Sequence, residues 1–256
     1  GLALQGAEFA LAILVPRDTA VTRWNGARWT ALEASASSVG LVGVPGVTLS
    51  ADSLQLAINR VDGLQPGLNA AAHVANLAAK PIEVSVGTQV SRKLDADGSL
   101  GVLTRAAGSA TLSVGNFFHA SGMVAVESST RLFTLSDGSS ATHDVLTIGG
   151  SQLQAFAGVG GGPLTDSNNN GRIDSADRPQ PAGATGFVLG GVDFGIVVAT
   201  PRNAASASAS TRVALSAEAA IAAAIGIPSL TLSLSDIHVE LNLADASGRV
   251  IDFTRS

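Results

Sequence analysis

Cysteine and tyrosine are absent from this chain of 256 residues, methionine occurs once and tryptophan twice. Without cysteine there can be no disulfide staple and no thiolate metal site. The absence also suits a large protein that bacteria export unfolded, where a stray thiol would cross-link. Charge is scarce too: charged residues make up 14%, and lysine occurs only at Lys80 and Lys93. A net charge of −5, with no basic patch interleaved with aromatics, argues against a nucleic-acid partner. Long hydrophobic runs are also missing. Stretches such as Ala219 to Pro228 stop far short of the roughly 20 apolar residues a spanning helix needs, so no membrane insertion is expected. What remains is 46% apolar, too rich for disorder, and dominated by Ala, Gly, Ser and Val, which suits closely stacked strands.

The chain repeats itself. Gly6-Ala7-Glu8-Phe9 returns as Gly191-Val192-Asp193-Phe194, and Pro16-Arg17 as Pro201-Arg202. Leu32, Ala34, Gly43 and Pro45 return as Leu215, Ala217, Gly226 and Pro228; Thr48-Leu49-Ser50 returns as Thr231-Leu232-Ser233, and Asn59 as Asn242. This predicts one full β-repeat over 1–190 and a partial second over 191–256, equivalent to 6–63. Self-similarity of this kind marks an array in which each unit leans on its neighbours. Such units scaffold or bind, and the C-terminal partial repeat is expected to dock end to end, on a neighbouring repeat or another molecule.

A shorter motif lies inside the long one. Apolar, any, apolar is followed five residues on by a polar–apolar pair: Glu8-Phe9, Ser53-Leu54, Asn116-Phe117, Gln152-Leu153, Asp193-Phe194 and Asp236-Ile237. Alternation is the strand signal, and a five-residue step moves the second apolar residue to the opposite face. A bend, corner or bulge must therefore return both apolar sets to one core. The expected fold is all-β and elongated, as a β-solenoid or as stacked β-sheets, with one inserted calcium loop. Asp97-Gly98 and Asp137-Gly138 read as hairpin turns, which favours some antiparallel pairing. Val213 to Ile225 reads as extended, because its counterpart Thr30 to Val42 is too rich in Ser and Gly for a helix. The most helix-like stretch is Leu68 to Lys80.

One motif carries chemistry. From Asp166 to Asp177, oxygen-bearing side chains occupy positions 1, 3, 5, 9 and 12: Asp166, Asn168, Asn170, Asp174 and Asp177. Gly171 permits the sharp turn, Arg172 offers its backbone carbonyl, and Ile173 anchors the loop to the core. Calcium takes six to eight hard oxygen ligands from such a loop, so calcium is the expected ion and these are its expected ligands. Asn at positions 3 and 5 and Asp at 12 are similar to dockerin-type loops. With three carboxylates, modest affinity suited to extracellular calcium follows.

Other candidates are weaker. His73, His119, His143 and His238 are scattered and read as surface or strand-face positions. His143-Asp144 stands near many serines, but no Gly-x-Ser-x-Gly elbow accompanies it. Gly158 to Gly162 lacks the Lys-Ser/Thr of a P-loop. Glu8, Asp193 and Asp236, at the corner position, read as carboxylates accepting backbone N–H bonds.

Gly191-Val192-Asp193-Phe194-Gly195-Ile196, Trp29 to Ala36, Val145 to Gly149 and Ala155 to Val159 resemble the long tandem repeats of giant bacterial secreted or surface proteins, often described as calcium-binding or adhesin-like. The resemblance implies an extracellular or cell-surface structural module, an adhesin stalk or matrix component, and carries no catalytic residue. The alternatives are a self-assembling subunit of an extracellular filament or surface lattice and, further off, a carbohydrate-active enzyme on a β-helix.

Overall fold

The computed structural model describes residues 2–17, 22–162, 164–171, 173–174, 176–179, 183–202 and 211–256. Among these there is no α-helix; the fold is all-β. Strands β1 (Leu2–Gln5), β2 (Glu8–Leu14), β3 (Arg28–Leu41) and β4 (Val47–Asp62) come first. A hairpin of β5 (Ile82–Gly87) and β6 (Val90–Leu94) follows, then β7 (Leu103–Val114), β8 (Phe118–Thr134) and β9 (Ser140–Val159). The short β10 (Leu164–Thr165) and β11 (Arg178–Pro179) precede β12 (Thr185–Pro201), β13 (Arg212–Ile225) and β14 (Leu232–Leu243).

Ten strands form one sheet in the order β1/β2, β3, β4, β7, β8, β9, β12, β13, β14, with β1 and β2 end to end on the same edge of β3. Every pairing is antiparallel and the sheet is open. A β-solenoid is therefore corrected to an antiparallel meander. The reason lies in the short connections, such as 115–117 between β7 and β8, where a parallel crossover needs a dozen residues or more. Asp137-Gly138 forms the expected hairpin turn, with Gly138 at φ 83° and the Leu135 N–H donating to Ser139 O at 2.7 Å. Asp97-Gly98 does not: Asp97 caps a 3-10 turn over Gly98–Leu100 instead. Val213 to Ile225 is extended, as expected. Of Leu68 to Lys80, only Ala70–Ala72 makes a helical turn, capped by Asn69.

The five-residue steps coincide with left-handed backbone. Ser53, Gln152, Gly191 and Asp236, at φ 53° to 60°, lie inside β4, β9, β12 and β14, and Gly6 (φ 57°) separates β1 from β2. The sixth, at Gly115 (φ 54°), is the hairpin turn between β7 and β8 rather than a corner within a strand. Register slips by one residue between Asp52 and Gln55 of β4 against β7, and between Ser121 and Met123 of β8 against β9. These are bulges, and they crease the sheet across its middle.

The crease decides which residues share a face. Direct pairing runs one row through eight strands: Ala12, Ala31, Asn59, Leu103, Ser129, Val145, Ala199 and Arg212. From Ala31 onward every member is at most 7% exposed. A second row, Ser113, His119, Phe156, Val188 and Ala223, lies ten residues away on β7 and β8. An even separation on unbulged strands puts both rows on one face. The residues inserted at Ser53 and Gln152 keep β4 and β9 in step.

Three segments cover this first face. Ala75, Leu77 and Leu94, from the segment between β4 and β7, pack on Ala10 and Ala31. Leu164, Ala184 and Ile173, from the segment between β9 and β12, pack on Phe156, Val188, Ile221 and Ala223. Ile251 packs on Val145 and Ala199. The second face has a different composition. One of its rows reads Phe9, Ala34, Leu56, Ala106, Val126, Ile148, Ile196, Leu215, Leu241. Beyond the crease another reads Leu49, Leu112, Ala120, Ala155, Leu189, Ala222, Leu234.

Candidate metal centre

The predicted loop lies between β10 and β11, beside the sheet. Two hydrogen bonds fold it on the Asp166 carboxylate, which accepts from the N–H of Asn170 at 3.1 Å and of Gly171 at 2.7 Å. Gly171 has φ 79°, which a side chain would oppose, so its place at the sharp turn is a backbone requirement. Asn168 Oδ1 also accepts from the Asn170 N–H, at 3.0 Å. The amide groups of Asn168 and Asn170 converge on Asp174 Oδ2, at 3.3 and 2.7 Å. The Ala176 N–H bond and these two amides hold the Asp174 carboxyl below the usual carboxylate range. Asn oxygen and nitrogen are interchangeable by an amide flip. Rotating both amides, at the loss of the Asn170 N–H bond to Asn168, would turn two neutral oxygens toward the carboxylates, a donor set that fits a hard cation.

The fifth side chain has another task. Asp177 is 6% exposed, and its two oxygens accept the backbone N–H of Ser167 at 2.6 Å and of Asp174 at 2.7 Å. It braces the base of the loop. Arg172, expected to lend its carbonyl, lies outside the described residues. Among the described residues no cluster of three or more His, Cys, Asp or Glu is disposed around a metal position. Ile173 packs against the core of Phe156, Leu164 and Val188, as its apolar character predicts. A side chain at Gly191 would meet the Ile173 carbonyl, so the loop rests directly on the crease.

Of the corner carboxylates, Asp193 accepts the Gln152 N–H at 2.8 Å, tying β12 to the bulge of β9. Glu8 instead forms an ion pair with Arg92 of the covering hairpin. His119 Nδ1 is 2.9 Å from Ser113 Oγ across β7 and β8, but its buried Nε2 has no hydrogen-bond partner, so no carboxylate orients it for nucleophilic chemistry. Burial pushes this imidazole down from its ordinary value.

A buried polar cluster escaped the sequence reading. Arg212 Nη2 donates to Asp245 at 2.5 Å, and Nη1 lies 2.9 Å from His143 Nε2. His143 Nδ1 is 2.8 Å from Ala141 O, so the proton belongs on Nδ1 and Nε2 accepts from Arg212. Burial, with Arg212 adding to it, pushes the imidazole down. Asp245 falls to about 2, chiefly through the Ser247 hydroxyl. The one signal in the sequence is alignment: Arg212 takes the place of Trp29, whose Nε1 donates to His73 O at 2.6 Å.

Comparison with protein-family models, curated proteins and solved structures finds no match to this chain.

Proposed function

We propose that this chain is a structural extracellular β-repeat module stabilised by calcium, serving as part of an adhesin stalk or surface matrix. The observation that carries the reading is the convergence of Asp166, Asn168, Asn170 and Asp174 on one turn, anchored to the sheet through Ile173. Asp166, Asn168, Asn170 and Asp174 would hold the ion by side chain, Arg172 by its carbonyl, and Asp177 from the base of the loop. Calcium would neutralise carboxylates gathered within a single turn and tie the insertion to the sheet. Its task is mechanical. Titration calorimetry of the parent and of an Asp166→Ala, Asp174→Ala double variant tests this. Calcium heat in the parent and none in the variant is expected; no heat in either removes calcium from the reading.

The repeat reading rests on equivalent positions that behave alike. Gly6 and Gly191 share positive φ, and Asn59 and Asn242 each hold a covering segment. Both outer edges of the sheet, β1/β2 and β14, are unpaired among the described residues. An edge of free N–H and C=O groups templates strand addition, which supports end-to-end contact with neighbouring repeats and, as a second reading, a filament or lattice subunit. Electron microscopy of the purified chain separates them: discrete particles fit a module, and filaments fit the subunit.

A further inference from the structure

The second face of the sheet is apolar from edge to edge, and no described segment lies on it. Phe9 is 65% exposed, Val126 43% and Leu241 43%. The row holding these three spans all nine strand positions without a charged or hydrogen-bonding side chain. On this face charge begins only beyond the row of Val198, at Arg60, Asp62 and Asp144, while Glu33, Arg105 and Glu127 share the covered face. Nine strands at about 4.8 Å spacing are about 40 Å wide, and the twelve residues from Phe187 to Val198 of β12 add about 40 Å of length. The face is thus about 1,500 Å². Contiguous exposed apolar patches on single chains seldom exceed a few hundred Å².

We propose that this face closes against the same face of a second copy of the chain, giving a two-sheet sandwich. Three features favour that occupant. The area buried by two copies, about 3,000 Å², well exceeds the roughly 1,600 Å² of a standard stable interface. The relief is corrugated: β3 and β7 present the small Ala34 and Ala106 on either side of Leu56 on β4. Ridges beside troughs interdigitate with a second ridged sheet at the roughly 10 Å spacing of stacked sheets. The patch between the rows of Phe187 and Val198 is free of charge on both partners, so closing it incurs no desolvation cost for ions. This contact uses the face of the sheet, independent of its edges and of the calcium loop.

Val126 sits on β8, the fifth of the nine strand positions, so a two-fold axis relating fully overlapped faces passes close to it. The chain has no cysteine, which makes Val126→Cys a specific probe. Sedimentation of the parent over a wide concentration range is expected to give two copies. Val126→Lys is expected to shift the dimer to monomer by at least a hundredfold in dissociation constant, with its strand circular dichroism retained. Val126→Cys is expected to link copy to copy through a bis-maleimide of about 10 Å, so a poorly folding Lys variant leaves the test intact. A parent that is monomeric throughout overturns the proposal. So does association that survives Val126→Lys without cross-linking, which is the signature of edge contacts. Uptake of monomer by phosphatidylcholine vesicles, lost in Val126→Lys, overturns it in favour of acyl chains.

Discussion

Asn59 and Asn242 make the same bond in opposite halves of the sheet. Each donates its side-chain amide to a backbone carbonyl of the segment folded over the first face: Asn59 to Ala75 O at 2.7 Å, Asn242 to Ile251 O at 2.9 Å. The partners come from unrelated stretches of sequence, yet both asparagines sit on strands that close the same three-strand order, β2–β3–β4 and β12–β13–β14. Each strand thereby fastens a cover that it does not pair with.

Removing either pin leaves a carbonyl without its donor. Asn59 is 2% exposed, so water cannot replace it. Asn59→Ala is expected to cost about 2–3 kcal/mol, and Asn242→Ala, at an exposed position, about 1 kcal/mol. Urea denaturation of both variants measures the difference. Equal losses would show that burial does not govern the pins.

The covering tail should respond to pH through the carboxylates of Asp245 and Asp252, both lowered to about 2, and through His143. The folded pKa of Asp245 is about 2 against an ordinary 3.8. A depressed carboxylate contributes stability that is present above 3.8 and lost as pH falls toward 2. The imidazole of His143 is lowered by burial. The unfolded chain then binds the proton first, so stability is complete above about 6.5 and declines as pH falls below it. Thermal melts should therefore show two declines on acidification. His143→Gln, which keeps an acceptor for Arg212, should reduce the upper one to the share carried by the buried His119 and leave the lower.

Much of this was legible in the sequence because it lay in period and spacing. The five-residue step at Ser53, Gln152, Gly191 and Asp236 announced the crease, since alternation must be repaired wherever its phase breaks. Gly171 and Ile173 announced a turned and anchored loop. Sheet topology was not legible, because parallel and antiparallel strands of Ala, Val and Leu alternate alike. The Arg212–His143–Asp245 cluster was hidden too, as it joins residues from β13, β9 and the tail that no local pattern links. Asp97-Gly98 misled because Asp97 spends its side chain capping the Ser99 N–H, where a hairpin would have needed β6 and β7 to pair.

Calcium should raise stability in proportion to its binding. An ion bound only by the folded chain, at a hundred times its dissociation constant, adds about 2.7 kcal/mol. The melting temperature is expected to rise with added calcium and return on chelation. The Asp166→Ala, Asp174→Ala variant should show neither change. Equal shifts in variant and parent would place any bound ion elsewhere.

The crease itself can be tested with two opposite substitutions. Ser53 holds φ 54° and Gly191 φ 60°, both in the left-handed region that L side chains oppose. At Gly191 an added Cβ would also meet the Ile173 carbonyl and, at 2.7 Å, the Ala220 Cβ. Gly191→Ala therefore combines backbone strain with a clash against the loop that rests there, and about 3 kcal/mol or more of stability should be lost. Ser53 already bears the backbone cost. Ser53→Gly relieves it while adding freedom to the unfolded chain, two terms of about 1 kcal/mol and opposite sign, so stability should change by less than about 1 kcal/mol. Ser53→Val puts a β-branched side chain in the same conformation and should lose about 2 kcal/mol. Denaturant midpoints for the three variants decide it. If Gly191→Ala is as mild as Ser53→Gly, the two positions do not share the left-handed crease described above, and the broken alternation must be repaired by other residues.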